Sequence, residues 1–445
     1  MTPEVSIKLE NRREALNSLH RLIREMEPKI IGALKEDLNK SLFEAVAGEL
    51  EALAAEIKFS LRKLNSWVKP IKVGKPCLSI SHWGSKNYIR PEAFGRCLIM
   101  GPWNYPFYLM LTPLVSALAA GNRCVLKPSE MAPASSRLIA EMINNNFDSE
   151  LVQVVEGDVG VAQKLLDQVW DLIFFTGSPR VGRYVMEKAA RNLSPVILEL
   201  GGKSPCILDE TAALGRSLKR ILWAKFFCAG QTCVAPDYLM ITEKAWAQSL
   251  ELIPSLMDQL FPADFVRTEF AHIVNDKHFA RLERLIENEN VFLSLERRAQ
   301  DRLFGPCIIV EPSLQSPVMQ EEIFGPILPV LKVESVNRAI AIVRSKPKAL
   351  ALYHFSKNKE WMNRVEENCS AGGMMFNDAL LYLTNYHLPF GGVGMSGMGT
   401  YHGFYGFKAF SHWKAVEKKG FFPDSRLRYW PYPDLAKRSF VRRFL

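Results

Sequence analysis

The spacing of apolar side chains changes several times along the chain. Between residues 11 and 67 they recur at intervals of three and four, first Leu16, Leu19, Leu22 and Met26, then Val46, Leu50, Leu53, Ile57, Leu61 and Leu64. That spacing predicts amphipathic helix, broken at Pro28, which has no N–H to give an interior helical position. From 70 to 90 the residues Leu78, Ile80, Tyr88 and Ile89 are mixed with Ser, Gly and Lys, the pattern of an exposed β-hairpin. From 96 to 209 short, wholly apolar runs alternate with amphipathic ones. Strands are predicted at 97–100, 124–126, 151–155, 172–175, 196–200 and 205–208, and helices at 108–119, 134–144, 160–166 and 181–191. Such alternation implies a parallel sheet covered on both faces, with ligands beyond the carboxyl ends of its strands. A second region of the same character runs from about 214 to 375, with strands at 239–241, 307–310, 327–330 and 350–355. The glycine-dense stretch 388–397 suits neither element and is expected to be a loop passing close to another group.

Composition narrows the function classes. A chain of 445 residues predicts two or three domains with a large core. The net charge of +9 is mild at this length, and the basic residues are scattered until the last ten, so no nucleic-acid partner is expected. The apolar run 107–120 is interrupted by Thr112 and Pro113 and falls short of the ~20 residues a membrane helix needs. The segment Met1-Thr2-Pro3-Glu4-Val5 lacks the apolar core of a signal peptide, so a soluble, cytoplasmic protein is expected. The eight cysteines form no C-x-x-C pair and have no histidine at zinc spacing, so no metal site is expected.

Candidate chemistry lies mostly where strands end. Cys233 follows Gly230-Gln231-Thr232, a small polar run expected to expose its thiol and favour the thiolate. Cys228, among Phe226, Phe227 and Ala229, is expected to be a buried structural cysteine. Glu199 sits inside the apolar run 195–200, where a carboxylate implies either a general base or a buried salt bridge. Asn104, within Gly101-Pro102-Trp103-Asn104-Tyr105-Pro106, is either a rigid amide donor or an Asx turn. Phe175-Thr176-Gly177-Ser178-Pro179-Arg180-Val181-Gly182 combines a strand end, a glycine turn and a helix start, which make an anion site or a plain connection. Arg183-Tyr184 after Gly182 excludes a phosphate-binding Walker loop there, and Ile197 excludes one at Gly201-Gly202-Lys203-Ser204. Lys127-Pro128-Ser129-Glu130 and Glu321-Glu322-Ile323-Phe324-Gly325-Pro326 are ligand contacts or solvated loops.

Taken together and in this order, these motifs resemble the NAD(P)-dependent aldehyde dehydrogenase superfamily, and most of all its shorter, class 3-like branch. The resemblance spans essentially the whole chain and includes Pro389-Phe390-Gly391-Gly392 and Tyr401-His402-Gly403. It implies an α/β fold with two Rossmann-like parallel-sheet domains and a small bridging β element. The corresponding divisions are 1–77 with 93–200 for the cofactor domain, 201–398 for the catalytic domain, 78–92 with 399–425 for the bridge, and 426–445 for a basic tail. The implied reaction oxidises an aldehyde to the acid. Cys233 is the nucleophile, Asn104 and the Cys233 N–H hold the oxyanion, and Glu199 activates the water that opens the thioester. Lys127 and Glu130 fall near the adenosine ribose, Gly177, Ser178, Val181 and Gly182 at the dinucleotide turn, and Glu322 and Phe324 near the nicotinamide ribose. A carboxylate at Glu130 favours NAD, with NADP as the alternative. Tyr105, Tyr108, Met110, Trp223 and Phe227 suggest an apolar tunnel for medium-chain aliphatic or aromatic aldehydes, or else core.

The branch implies a homodimer. The basic, amphipathic end 437–445 is too short to span a membrane, and packing across a subunit or over the substrate entrance is favoured over peripheral membrane contact. The segment 262–305 departs from the branch, with Ala271-His272 where a Gly-Arg pair is common and no glycine-rich turn after Asn290. Two rivals remain: acyl transfer or thioester hydrolysis at Cys233 without a redox step, and a non-catalytic protein that keeps the fold.

Overall fold

The computed structural model describes residues 7–74, 82, 84–422, 424 and 429–431. Two parallel-sheet layers dominate it. In the first, the strands run Gly397–Met398, Val196–Leu200, Leu172–Gly177, Arg96–Met100, Arg123–Lys127 and Val152–Val154, all parallel except the first. Chain order reverses direction on either side of Arg96–Met100, which makes this the doubly wound arrangement with its crevice at the carboxyl ends. Alternate residues of one strand feed opposite faces. Cys97 and Ile99 pack with the helices Tyr108–Ala120 and Pro133–Asn144, whereas Leu98 and Met100 join a second cluster that includes Leu165, Val185 and Ala189.

The second sheet orders its strands Val291–Ser294, Cys307–Val310, Ile327–Val333, Tyr238–Thr242, Pro205–Leu208, Ala351–Phe355 and Gly373–Phe376. Only the edge strand Val291–Ser294 is antiparallel. Gly201 to Ser204 joins the two sheets, so the carboxyl end of Val196–Leu200 faces the start of Pro205–Leu208. Gly397–Met398, which the resemblance groups with the catalytic domain 201–398, is hydrogen-bonded into the first sheet beside Glu199 and Leu198. A third, three-stranded sheet joins Ile71–Lys72, Lys86–Ala93 and Ser411–Lys418. It contains the later half of the expected hairpin; Leu78 and Ile80 lie outside the described residues, as do Cys77 and the end 437–445.

The amino-terminal helical region is more broken than its periodicity suggests. Helices Leu9–Glu25 and Glu27–Leu38 meet at Met26, with Pro28 in the first turn of the second, where a missing N–H costs nothing. A further break follows, because Asn39 is left-handed and Ser41 starts a new helix through a capping box with Glu44. That helix, Leu42–Ala45, runs through a π turn at Val46–Leu50 into Glu51–Trp67.

Candidate active site

The cysteine loop is built from strained backbone held by remote side chains. Helix Leu214–Phe226 ends in the tight turn Phe227–Gly230, in which Cys228 and Ala229 have φ of 51° and 52°. Gly230 follows at φ 68°, and a side chain there would strike the Gly325 carbonyl. Non-glycine residues hold such conformations only when their surroundings enforce them. Here the Glu44 carboxylate accepts the Cys228 N–H at 2.7 Å. The Gln231 side chain donates to the His272 carbonyl at 3.0 Å and accepts from the Val274 N–H at 3.1 Å.

Cys233 is half-buried and opens onto an apolar cavity of about 180 Å³. The expectation of a solvent-exposed thiolate is corrected. Burial, reinforced by the charges of Glu322 and Glu199, pushes the thiol up to about 12, although the N–H groups of Cys233 and Val234 favour the sulfur anion. The sulfur meets the cavity rather than bulk water. Tyr105, Tyr108, Trp223 and Phe227 line the same cavity. Met110 does not line it, because its side chain packs under Gly101.

Asn104 is buried, and its amide donates to the Gln231 carbonyl at 2.8 Å. This contact crosses from one sheet region to the other, so the residue is no Asx turn closing on its own backbone. One amide proton is used and the other remains for a ligand. Tyr105 and Thr232 share a hydrogen bond of 2.7 Å beside it.

Glu199 is the outlier of the site. It is 3% exposed, and neither carboxylate oxygen has a hydrogen-bond partner among the described residues. The buried salt bridge is thereby excluded among those residues. Burial alone holds its carboxyl well above the usual range. Its cross-strand neighbour Thr176 likewise has a buried, unpartnered hydroxyl. Glu199 does not line the apolar cavity, yet its charge reaches Cys233.

The remaining expected residues spread along the carboxyl edge of the first sheet, apart from two on a facing loop. Four adjacent strands end at Leu200, Gly177, Met100 and Lys127, an edge roughly 15 Å wide at the usual strand spacing. Lys127 Nζ bonds the Pro128 carbonyl at 2.8 Å and Glu130 at 3.1 Å. Ser178 caps helix Pro179–Ala190 through a long 3.4 Å contact with the Val181 N–H, and Gly182 lies against Leu200.

Glu322 arrives on the facing loop and lies so close to Gly201 that any side chain there would collide with it. That loop is fixed by Asp237, which accepts the Ile323 N–H at 3.1 Å, and by Lys203, which donates to the Glu321 carbonyl at 3.0 Å. Burial first, and then Asp237, raise the Glu322 carboxyl to about 8. Phe324, at φ 44°, meets Trp103 edge to face at 5.4 Å. A cysteine at the cavity, a buried amide bonded to the cysteine loop and an unpartnered carboxylate whose charge reaches that cysteine thus lie beside the carboxyl edge of the first sheet.

The sequence matches the aldehyde dehydrogenase family model over residues 5–416. The chain belongs to the aldehyde dehydrogenase family. Aldehyde dehydrogenase family 3 member H1 of Arabidopsis thaliana is 40% identical over 91% of this chain and 84% of its own length. The 4,4'-diaponeurosporen-aldehyde dehydrogenase of Staphylococcus aureus is 39% identical over 97% of this chain and 94% of its own. Among solved structures, a substrate-bound Staphylococcus aureus AldH superposes with a TM-score of 0.94 at 38% identity, covering 98% and 95% of the two chains. The PnpE structure in complex with nicotinamide adenine dinucleotide gives 0.82 at 25% identity, covering 92% and 85%. This aldehyde dehydrogenase is accordingly an NAD(P)-dependent oxidoreductase that oxidises an aldehyde. The non-catalytic reading and that of acyl transfer without redox are set aside.

Sequence reasoning missed the wall opposite the cysteine. Phe43, Gly48, Leu383 and Tyr401 also line the cavity, from three separate segments. The available signal was Ser41-Leu42-Phe43-Glu44, a capping-box pattern marking a new helix inside what reads as one long run.

Proposed function

We propose that this enzyme oxidises medium-chain aliphatic or aromatic aldehydes, with Cys233 as nucleophile, Asn104 as oxyanion donor and Glu199 as general base. The observation that carries the reading is a cysteine opening onto an apolar, aromatic cavity while an unpartnered buried carboxylate acts on it from outside that cavity. An aldehyde enters from the apolar side, and Cys233, its thiol proton released to bulk solvent, bonds as the thiolate to the carbonyl carbon. The oxygen becomes an oxyanion that accepts from the spare Asn104 amide proton and from the Cys233 N–H; one such donor is worth about 3 kcal/mol. The nicotinamide cofactor, when bound, supplies the hydride acceptor. The resulting thioester on Cys233 is opened by water, whose proton passes to Glu199. A carboxylate whose pKa burial raises is a better base for that step than a solvated one.

A dinucleotide suits the carboxyl edge of the first sheet. The weakly capped helix start at Ser178 offers N–H groups and a favourable dipole to a phosphate. Glu322 and Phe324 would hold one ribose and its ring, and Lys127 and Glu130 the other. The carboxylate of Glu130 favours a free 2′-hydroxyl, so NAD should bind more tightly than NADP in a direct Kd comparison.

The three-stranded sheet leaves Ser411–Lys418 as an edge without a further strand among the described residues, a surface suited to a homodimer. No helix among the described residues is long and apolar enough to cross a membrane. A cytoplasmic homodimer is the assembly we propose. Peripheral membrane contact through the basic carboxyl-terminal tail is the less favoured role. The test of substrate class is NADH formation across aldehydes of graded length and aromaticity. Highest kcat/KM for medium-chain or aromatic members supports the reading, and a preference for small hydrophilic aldehydes contradicts it.

A further inference from the structure

Gly48 belongs to the π turn Val46–Leu50, and among the described residues it is the only glycine in the wall of the cavity. A β-carbon built on it would stand 3.3 Å from the Tyr105 ring and 3.5 Å from the Phe227 ring. These two rings are its nearest neighbours, and both line the cavity together with Cys233.

All three groups are held by neighbours. The wall is anchored on both sides of Gly48. Glu44 holds the Cys228 N–H, and Glu49 accepts from the Phe107 and Tyr108 N–H groups at 2.9 and 3.1 Å while bonding the buried Lys40. Tyr105 is pinned by its bond to Thr232 and by Lys40, whose ammonium lies 4.0 Å from the ring centroid. Phe227 packs between Trp223 at 5.2 Å and Phe43 at 6.4 Å. A side chain at position 48 must therefore take its volume from the cavity. At about 180 Å³ the cavity is smaller than the roughly 300–1,000 Å³ typical of ligand pockets, so one or two methyl groups matter.

We propose that Gly48 is a specificity-determining residue: its missing side chain sets how long and how broad an aldehyde can reach Cys233. The proposal rests on the apolar-aldehyde reading above and adds the position that limits the substrate. Alanine at 48 suits helical backbone better than glycine does, so the fold is preserved in the first variant. The experiment compares kcat/KM for propanal, decanal and benzaldehyde in the wild type, Gly48→Ala and Gly48→Val. The expected result is a graded loss for decanal and benzaldehyde, about tenfold or more in Gly48→Val, with propanal changed less than about twofold. A decanal-to-propanal ratio that stays constant across the three proteins overturns the proposal. So does an equal loss for all three aldehydes, which marks a purely structural position. Wild-type turnover of propanal without any of decanal or benzaldehyde defeats the parent reading instead, and is seen before any variant is made.

Discussion

Buried carboxylates lie on two sides of the cysteine loop, Glu44 and Glu49 by Cys228 and Glu199 by Cys233, and they differ in one respect. Glu44 and Glu49, on the wall segment, have all four oxygens occupied. Glu44 takes the Cys228 N–H and the Ser41 N–H and hydroxyl, and Glu49 takes Lys40 and the two N–H groups that open the helix Tyr108–Ala120. Glu199, at the end of the strand Val196–Leu200, has neither oxygen occupied among the described residues. Burial raises the carboxyl of Glu44 as it does that of Glu199, but at Glu44 the hydrogen bonds to Cys228 and Ser41 pull the other way. At Lys40 burial works against the charge, and Glu49, Cys228 and Glu44 together outweigh it. A satisfied buried carboxylate holds a structure together, whereas an unsatisfied one costs stability, which makes it a candidate for chemistry.

The contrast can be broken first at Glu49. Removing it in Glu49→Ala strands the buried Lys40 charge and frees two helix N–H groups. Unfolding by denaturant should then show a loss of about 3–5 kcal/mol. A loss below about 1 kcal/mol would mean that the wall is not held by this carboxylate.

Asn104 stands between the two groups, since its amide is half structural and half free. Asn104→Ala should lower kcat by about 10²- to 10³-fold, with KM changed far less. A change confined to KM would assign the residue to binding alone.

A gentler probe is the pH dependence of Cys233 in the cofactor-free enzyme. The thiolate is the reactive form, and the folded protein raises its pKa to about 12. Alkylation by iodoacetamide should accordingly keep rising with pH through about pH 9, roughly tenfold per unit. A plateau near neutrality would show that the loop activates the sulfur unaided.

Much of this was legible in the sequence, and the illegible part has a common cause. Strands such as Val196–Leu200, Pro205–Leu208 and Cys307–Val310 fall where apolar runs place them, because a strand buried on both faces is apolar at nearly every position, Glu199 being the exception. Cys233 shares one cavity with Tyr105, Tyr108, Trp223 and Phe227, and Asn104 bonds the loop that carries it. The edge strand Val291–Ser294 escaped because it is largely exposed and carries no such run. The break at Asn39 escaped because a left-handed cap leaves the apolar period almost undisturbed. The thiol's environment could not be read either. A polar run such as Gly230-Gln231-Thr232 looks exposed, yet here its polar groups are bonded to Cys228, His272 and Asn104 inside the protein. Whether a buried carboxylate is satisfied depends on partners up to 184 residues away, as Glu44 and Cys228 show.

The claim that Glu199 is kept unsatisfied for catalysis is tested most directly by Glu199→Gln. Its raised pKa in the folded state means that the ionised carboxylate costs stability above the unfolded value of about 4.3, increasingly as pH rises toward the folded one. The variant should therefore melt at the same temperature as the wild type or higher at neutral pH. Its steady-state turnover should fall by about 10²- to 10⁴-fold, with a rapid first turnover of NADH retained if deacylation is the step lost. Turnover near the wild-type level, or a loss of turnover accompanied by a lower melting temperature, would contradict the account.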